Sequence, residues 1–193
     1  MISRRQALWA AGALALAPPA RARSPRKQYL DVHATWTREL RLYQGFHTAI
    51  LARGTWLSQP FRAALAEERR RMFGPTDADH ADFVARMAAD GDAYQDVMLA
   101  IDSSFDEART VGAQGDDRWN VRFEADDQQE SVVEISHIRQ PTPLHIQLYP
   151  QTNIWCELYL CRFQRSREPR VARFHIGGGF GQGAMVWEAQ RGG

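Results

Sequence analysis

The chain has only two cysteines, Cys156 and Cys161, and one lysine, Lys27, in 193 residues. Two thiols do not make a disulfide framework, and a chain of this length buries enough surface to fold without such staples or a structural metal. The shortage of lysine leaves arginine as 23 of the 24 basic residues. Together with the alanine-rich composition this reads as a coding bias, not as a nucleic-acid surface. The formal net charge is only +1, so no long-range field draws polyanions. No apolar run reaches the ~20 residues needed to cross a bilayer. His-x-His, His-Glu-x-x-His, Cys-x-x-Cys, the Gly-x-Ser-x-Gly elbow and the calcium loop are all missing, and with them the familiar signatures of metal and nucleophile chemistry. The sequence therefore points to no catalytic residue, no metal and no cofactor.

What is present begins with a targeting pattern. Arg4-Arg5 precede an uncharged apolar run of 11 residues, Ala7 to Ala17, followed by Pro18-Pro19 and Ala20-Arg21-Ala22. This is the charged, apolar and small-x-small order of a secretory signal, and the apolar run is too short to span a ~30 Å hydrocarbon core. Ser3, Arg4, Arg5 and Leu8 resemble the twin-arginine export signal of bacteria, with Ala7 where that signal usually carries Phe. The resemblance implies a protein that folds in a reducing cytoplasm before export to the periplasm or beyond. A Sec signal is the alternative. Removal of residues 1–22 leaves 21 basic against 23 acidic residues. Residues 23–28, charged and with Pro25, read as a flexible leader to a single domain over 29–190.

The domain reads as α+β and mainly β. Ile154–Phe163 is apolar on both alternating faces, so it is expected as a strand in the middle of a sheet. Its two cysteines, five apart, would lie about 16 Å apart in an uninterrupted strand, beyond disulfide reach, so they read as free buried thiols. Trp119, Val121, Phe123 and Ala125 alternate with polar residues, the clearest period-two pattern in the chain. Asp126–Gln129 reads as the turn after it and Ser131–Ile138 as the return strand, with Leu144–Tyr149 a short edge segment. Residues 29–44 and 46–57 suggest a hairpin, although Tyr29, His33, Trp36, Leu40 and Tyr43 also recur with helical spacing. Pro60 opens a helix, and Asp77 or Asp79 caps a second that turns Phe83, Val84 and Met87 inward and closes at Gly91. Tyr94–Ser103 follows as a buried strand. The whole is expected to be an antiparallel β-sandwich of immunoglobulin-like architecture with a two-helix insertion around residues 60–90.

Gly177–Ala184 contains Gly179-x-Gly181-x-x-Ala184, which formally fits a dinucleotide fingerprint. That motif needs a following helix and strand, and only nine residues remain, so a hairpin is expected instead. The loop is flanked by His175, Phe180 and Trp187, and a nearby turn carries Arg165, Arg167 and Arg170. These six residues are the candidate ligand-binding set, the arginines for an anionic sugar or an acidic patch. The expected function is an exported, non-enzymatic accessory or binding module of the bacterial envelope, its partner an envelope protein or a glycan and not nucleic acid. The alternatives are a hydrolase built on His137, His145 or His175, or a carbohydrate or small-ligand binder using Trp155, Tyr159, Phe180 or Trp187.

Overall fold

The Ser24 side chain accepts from Lys27 N at 3.3 Å and Pro25 supplies the fixed first-turn backbone, so a helix starts where a leader was expected. The computed structural model describes residues 24–105, 109–111, 119–179 and 181–188. The segment expected to be an export signal, part of the loop before Trp119, and Phe180 lie outside the described residues. In chain order the elements are α1 (Pro25–Trp36), β1 (Thr37–Gln44), β2 (His47–Trp56), α2 (Gln59–Phe73), α3 (Asp77–Ala93), β3 (Tyr94–Asp102), β4 (Trp119–Ala125), β5 (Gln128–Glu130), β6 (Val132–Ile138), α4 (Pro143–Leu148), β7 (Glu157–Gln164), β8 (Val171–Gly178) and β9 (Gly181–Glu188).

The strands form two antiparallel sheets, ordered β1-β2-β3-β7-β6 and β5-β4-β8-β9. Between them lies a core rich in aromatic rings. Trp36 meets Trp56 edge-on at 5.2 Å, and Phe163 stands between Phe123 and Phe174. The indole N–H of Trp187 donates to Trp36 O at 2.9 Å and that of Trp56 to Gln95 Oε1 at 3.1 Å, so neither buried ring leaves a donor unmet. β1 runs alongside β9, where Arg38 Nε donates to Val186 O at 2.9 Å. Glycine makes this approach close: a Cβ on Gly183 would stand 2.6 Å from Leu40 Cδ1.

The structure corrects several local expectations. Residues 29–36 are helical, with Tyr29, His33 and Trp36 buried along one face, and the strand starts at Thr37. The alternation of Trp36, Leu40 and Leu42 crosses a helix–strand boundary and so imitates a longer strand. α3 is capped by Thr76, whose hydroxyl accepts from Asp79 N at 3.1 Å, not by Asp77 or Asp79. It passes through Gly91 to Ala93, with Val84 exposed. The two-residue turn Asp126-Asp127 has positive φ at both positions (49° and 66°), and Gln128 already pairs with Ala125. Leu144–Tyr149 is not an edge strand, because Pro143 opens α4 and Thr142 N donates to the His145 ring at 3.1 Å.

The two-sided burial expected of Ile154–Phe163 belongs most fully to β3, the middle strand of the larger sheet, where Gln95 through Ile101 are all buried. β7 lies next to it but begins only at Glu157. Ile154 and Trp155 stay exposed in the turn before it. Both cysteines are free and buried, and burial pushes both thiols up, away from the reactive thiolate.

Candidate functional site: the open face of the four-stranded sheet

β3 is buried on both sides, whereas the smaller sheet keeps one face open to solvent. Alternation decides which residues stand there. On β4, Trp119, Val121, Phe123 and Ala125 go inward and Asn120, Arg122 and Glu124 outward. On β8 the outward set is Arg173, His175 and Gly177, and on β9 it is Gln182, Ala184, Val186 and Glu188. The antiparallel register stacks them in rows across the three strands. Asn120, Gly177 and Gln182 form one row, Arg122, His175 and Ala184 the next, and Glu124, Arg173 and Val186 the third.

Because Gly177, Gly178 and Ala184 contribute almost no side chain, the first two rows enclose a shallow depression of about 800 Å³, walled by Asn120, Arg122, His175 and Gln182. Asn120, Arg122 and Gln182 are exposed, and their side chains make no hydrogen bond or ion pair among the described residues. His175 Nε2 lies 3.0 Å from Glu124 Oε2 in the next row, an ion-pair contact without hydrogen-bond alignment. Farther along the face Arg173 pairs with Asp127. The end of the face next to the β8–β9 hairpin therefore carries idle donors over a backbone floor, while the opposite end is ion-paired. Polar side chains above bare backbone can hold a flat polar molecule by hydrogen bonds. Among the described residues the lining includes no hydroxyl, thiol or carboxylate able to act as nucleophile.

Among the described residues proposed from sequence, only His175 lines this depression. Trp187 faces the opposite way, fully buried in the core. Phe180 lies outside the described residues. Arg165 is spent on Gly91 O and Glu168, and Arg167 on Gln128, at the turn between β7 and β8. The backbone N–H of Arg170 donates to Asp126 Oδ1 at 2.9 Å, tying that turn to the β4–β5 hairpin, and its side chain is exposed there. The arginine cluster thus holds this turn to its neighbours, with Arg167 and Arg170 exposed.

Asn120, Arg122 and Gln182 are not among the candidates that the sequence pattern offers. The signal was nevertheless present in the period-two pattern of residues 119–125, which fixes Asn120 and Arg122 on the outward face.

The three histidines considered for catalysis do not meet. His137 on β6 contacts Glu157 at 2.7 Å and stacks on Tyr159, His145 caps α4, and His175 stands on the other sheet. Among the described residues no group of three or more His, Cys, Asp and Glu side chains is placed to hold a metal ion. Trp155 is exposed, while Tyr159 is buried with its hydroxyl donating to Arg109 O at 2.8 Å. Comparison of the sequence with protein-family models and with curated proteins finds no match.

Proposed function

We propose that this chain is an exported, non-enzymatic binding protein of the bacterial envelope, with the open face of the four-stranded sheet as its ligand surface. The observation that carries the reading is the set of idle polar side chains, Asn120, Arg122 and Gln182, placed around a glycine floor. Export is supported by Ser3-Arg4-Arg5, the apolar run behind it and the Ala20-Arg21-Ala22 pattern. No described helix is long and apolar enough to cross a membrane. Binding is favoured over an exported hydrolase because, among the described lining residues, His175 is the only general-base type and faces no nucleophile. The reading requires two packed antiparallel sheets with one free face and does not depend on immunoglobulin-like strand connections.

Cell fractionation tests the first half. The processed chain is expected outside the cytoplasm, and Arg4→Lys with Arg5→Lys is expected to hold the unprocessed chain inside. Solution NMR of the protein titrated with a soluble envelope extract tests the second half. Shifts confined to the Asn120, Arg122, His175 and Gln182 signals are the expected result. Shifts elsewhere alone would count against the face.

A further inference from the structure

We infer that one end of the larger sheet docks on an anionic lipid bilayer, with Tyr43 and Phe46 on one tip and Ile154 and Trp155 on another entering the headgroup region. The site is separate from the binding face, which belongs to the other sheet, and does not rest on it. Among the described residues the four most exposed large apolar side chains are Phe46 at 105%, Trp155 at 73%, Ile154 at 66% and Tyr43 at 59%. They come from segments far apart in the chain, yet strand register brings all four to the same end. Leu42 pairs with Ile50, Leu51 with Asp102, Ile101 with Glu157 and Leu158 with Ile138. The β1–β2 turn, the end of β3, the start of β7 and the end of β6 therefore all lie there. Exposed apolar side chains gathered on one part of a surface mark an interaction site, whereas scattered ones do not.

Backbone geometry holds each tip out. Gly45 takes positive φ (61°) in the β1–β2 turn, so Phe46 stands beyond the last strand pair, Gln44 with His47. In the turn before β7, Asn153 Oδ1 accepts from the N–H groups of Trp155 and Cys156. The tips lie two to three strands apart, on the order of 10–15 Å. Two such side chains offer on the order of 300–400 Å² each pair, against ~800 Å² per partner in a standard protein complex or dimer. Neither tip is large enough to seat a second protein. A bilayer needs no matching relief and takes each tip separately. Tryptophan and tyrosine suit its interfacial layer, where one edge of the ring is dry and the other wet. Nearby charge fits anionic headgroups: His47 and Arg139 are exposed at this end, whereas Glu157 is held by His137 and Asp102 is half-buried.

The test is co-sedimentation of the chain, as cells process it, with vesicles of phosphatidylethanolamine and phosphatidylglycerol, and with phosphatidylcholine vesicles in parallel. The native chain is expected to sediment with the anionic vesicles and about fivefold less with the neutral ones. Trp155→Ala and Phe46→Ser should each weaken binding by about tenfold, the transfer of one aromatic side chain, and the two together should abolish it. Both side chains lie outside the core, so an unchanged urea midpoint is expected and verifies the fold. Val133→Ser is the control. It is exposed on β6 beside Val132, which pairs with Phe163 toward the opposite end of the sheet, and should leave binding unchanged. Brominated lipid should quench the fluorescence that Trp155→Ala removes, since Trp155 is the one exposed tryptophan among the described residues. Equal binding to neutral vesicles would overturn the anionic headgroup as partner. Absence of vesicle binding, or binding that ignores the Phe46 and Trp155 changes, would overturn the docking end altogether. A dimer in sedimentation velocity that these variants dissolve would assign the end to a second copy and overturn the lipid surface.

Discussion

Gly54 of β2 and Met185 of β9 meet across the core so closely that a Cβ on Gly54 would stand 2.7 Å from the Met185 sulfur, with Val97 Cγ1 at 3.4 Å behind it. The contact ties the two sheets together at a point where any larger residue must displace a buried side chain. Gly54→Ala is therefore expected to destabilise by about 1–3 kcal/mol, the usual cost of overpacking. Gly183→Ala is a control with the same apparent clash. Its nearest neighbour is the tip of Leu40, which is only half-buried and can swing aside, so the change should cost less than about 1 kcal/mol. Urea unfolding of the two variants checks the order. Equal losses would mean that the gap between β1 and β9 is as rigid as the core.

Asp96 joins two arginines beneath the larger sheet. Its Oδ2 accepts from Arg62 at 2.7 Å and from Arg162 at 2.9 Å, and its Oδ1 accepts from Arg162 Nε at 2.9 Å. Arg62 and Asp96 are each only 1% exposed, and Arg62 is further held by Leu57 O at 2.7 Å. Asp96→Asn would leave the Arg62 charge buried without a counter-charge. The expected loss is about 3–5 kcal/mol. Arg162→Ala should cost less, because Asp96 keeps its bond to Arg62 and Arg162 is partly solvated. Chemical denaturation of both variants tests the ranking.

The parts of this fold that sequence pattern discloses are those where one physical rule acts alone. Residues 119–125 alternate cleanly because one face is core and the other water, and β4 appears where that pattern predicts it. Pro60 and the following apolar spacing mark α2 for the same reason. Elsewhere two signals overlap. Trp36 ends a helix and Thr37 starts a strand with no breaker between them, so two periods merge into one ambiguous run. Leu144 and Ile146 alternate like an edge strand, yet Pro143 and the Thr142–His145 contact decide for a helical turn. The glycine-rich segment was conspicuous in sequence, but its neighbours in space were not. Asn120 and Arg122 reach Gly177 through pairing of β4 with β8, a contact between residues more than fifty positions apart. Trp187 was grouped with the glycines by proximity in the chain, although the pleat sends it to the opposite face.

The turn before β7 holds Trp155 in water at 73% exposure, and it does so with fixed backbone. Asn153 Oδ1 accepts from Trp155 N at 2.7 Å and from Cys156 N at 3.0 Å, and Cys156 Sγ donates to Asn153 O. The Asn153 carboxamide thus replaces backbone partners the turn cannot supply. Asn153→Ala should cost about 1 kcal/mol. Trp155→Ala should change stability by no more than about 0.5 kcal/mol, since almost none of the ring is buried. Thermal unfolding measures both. A large loss from the tryptophan change would show that the ring packs in solution.

His33 gives the fold a defined response to acid. The ring is buried where α1 crosses β1 and β2, between the rings of Tyr29 and Phe61. Its Nε2 lies against Gln151 Oε1, while Gln151 Nε2 donates to Thr55 Oγ1 at 2.8 Å, and Thr55 and Thr37 share a hydroxyl contact of 2.8 Å. Among the described residues no carboxylate contacts the ring. Burial first, and the nearby Arg26 charge to a lesser degree, lower the His33 pKa below its ordinary 6.5, although the Gln151 contact opposes the shift. The folded state thus holds a neutral imidazole, and the unfolded state takes up a proton at higher pH than the folded one. The unfolded state binds more protons in that window, so stability falls as pH drops from the ordinary histidine value through the folded one. Unfolding midpoints measured between about pH 7 and pH 5 should decline in the native chain. His33→Gln keeps a donor for Gln151 but cannot titrate, so its midpoint should be lower at neutral pH and flatter across the same range. A native chain with no decline over this interval would mean that His33 is protonated equally in both states and is not isolated by burial.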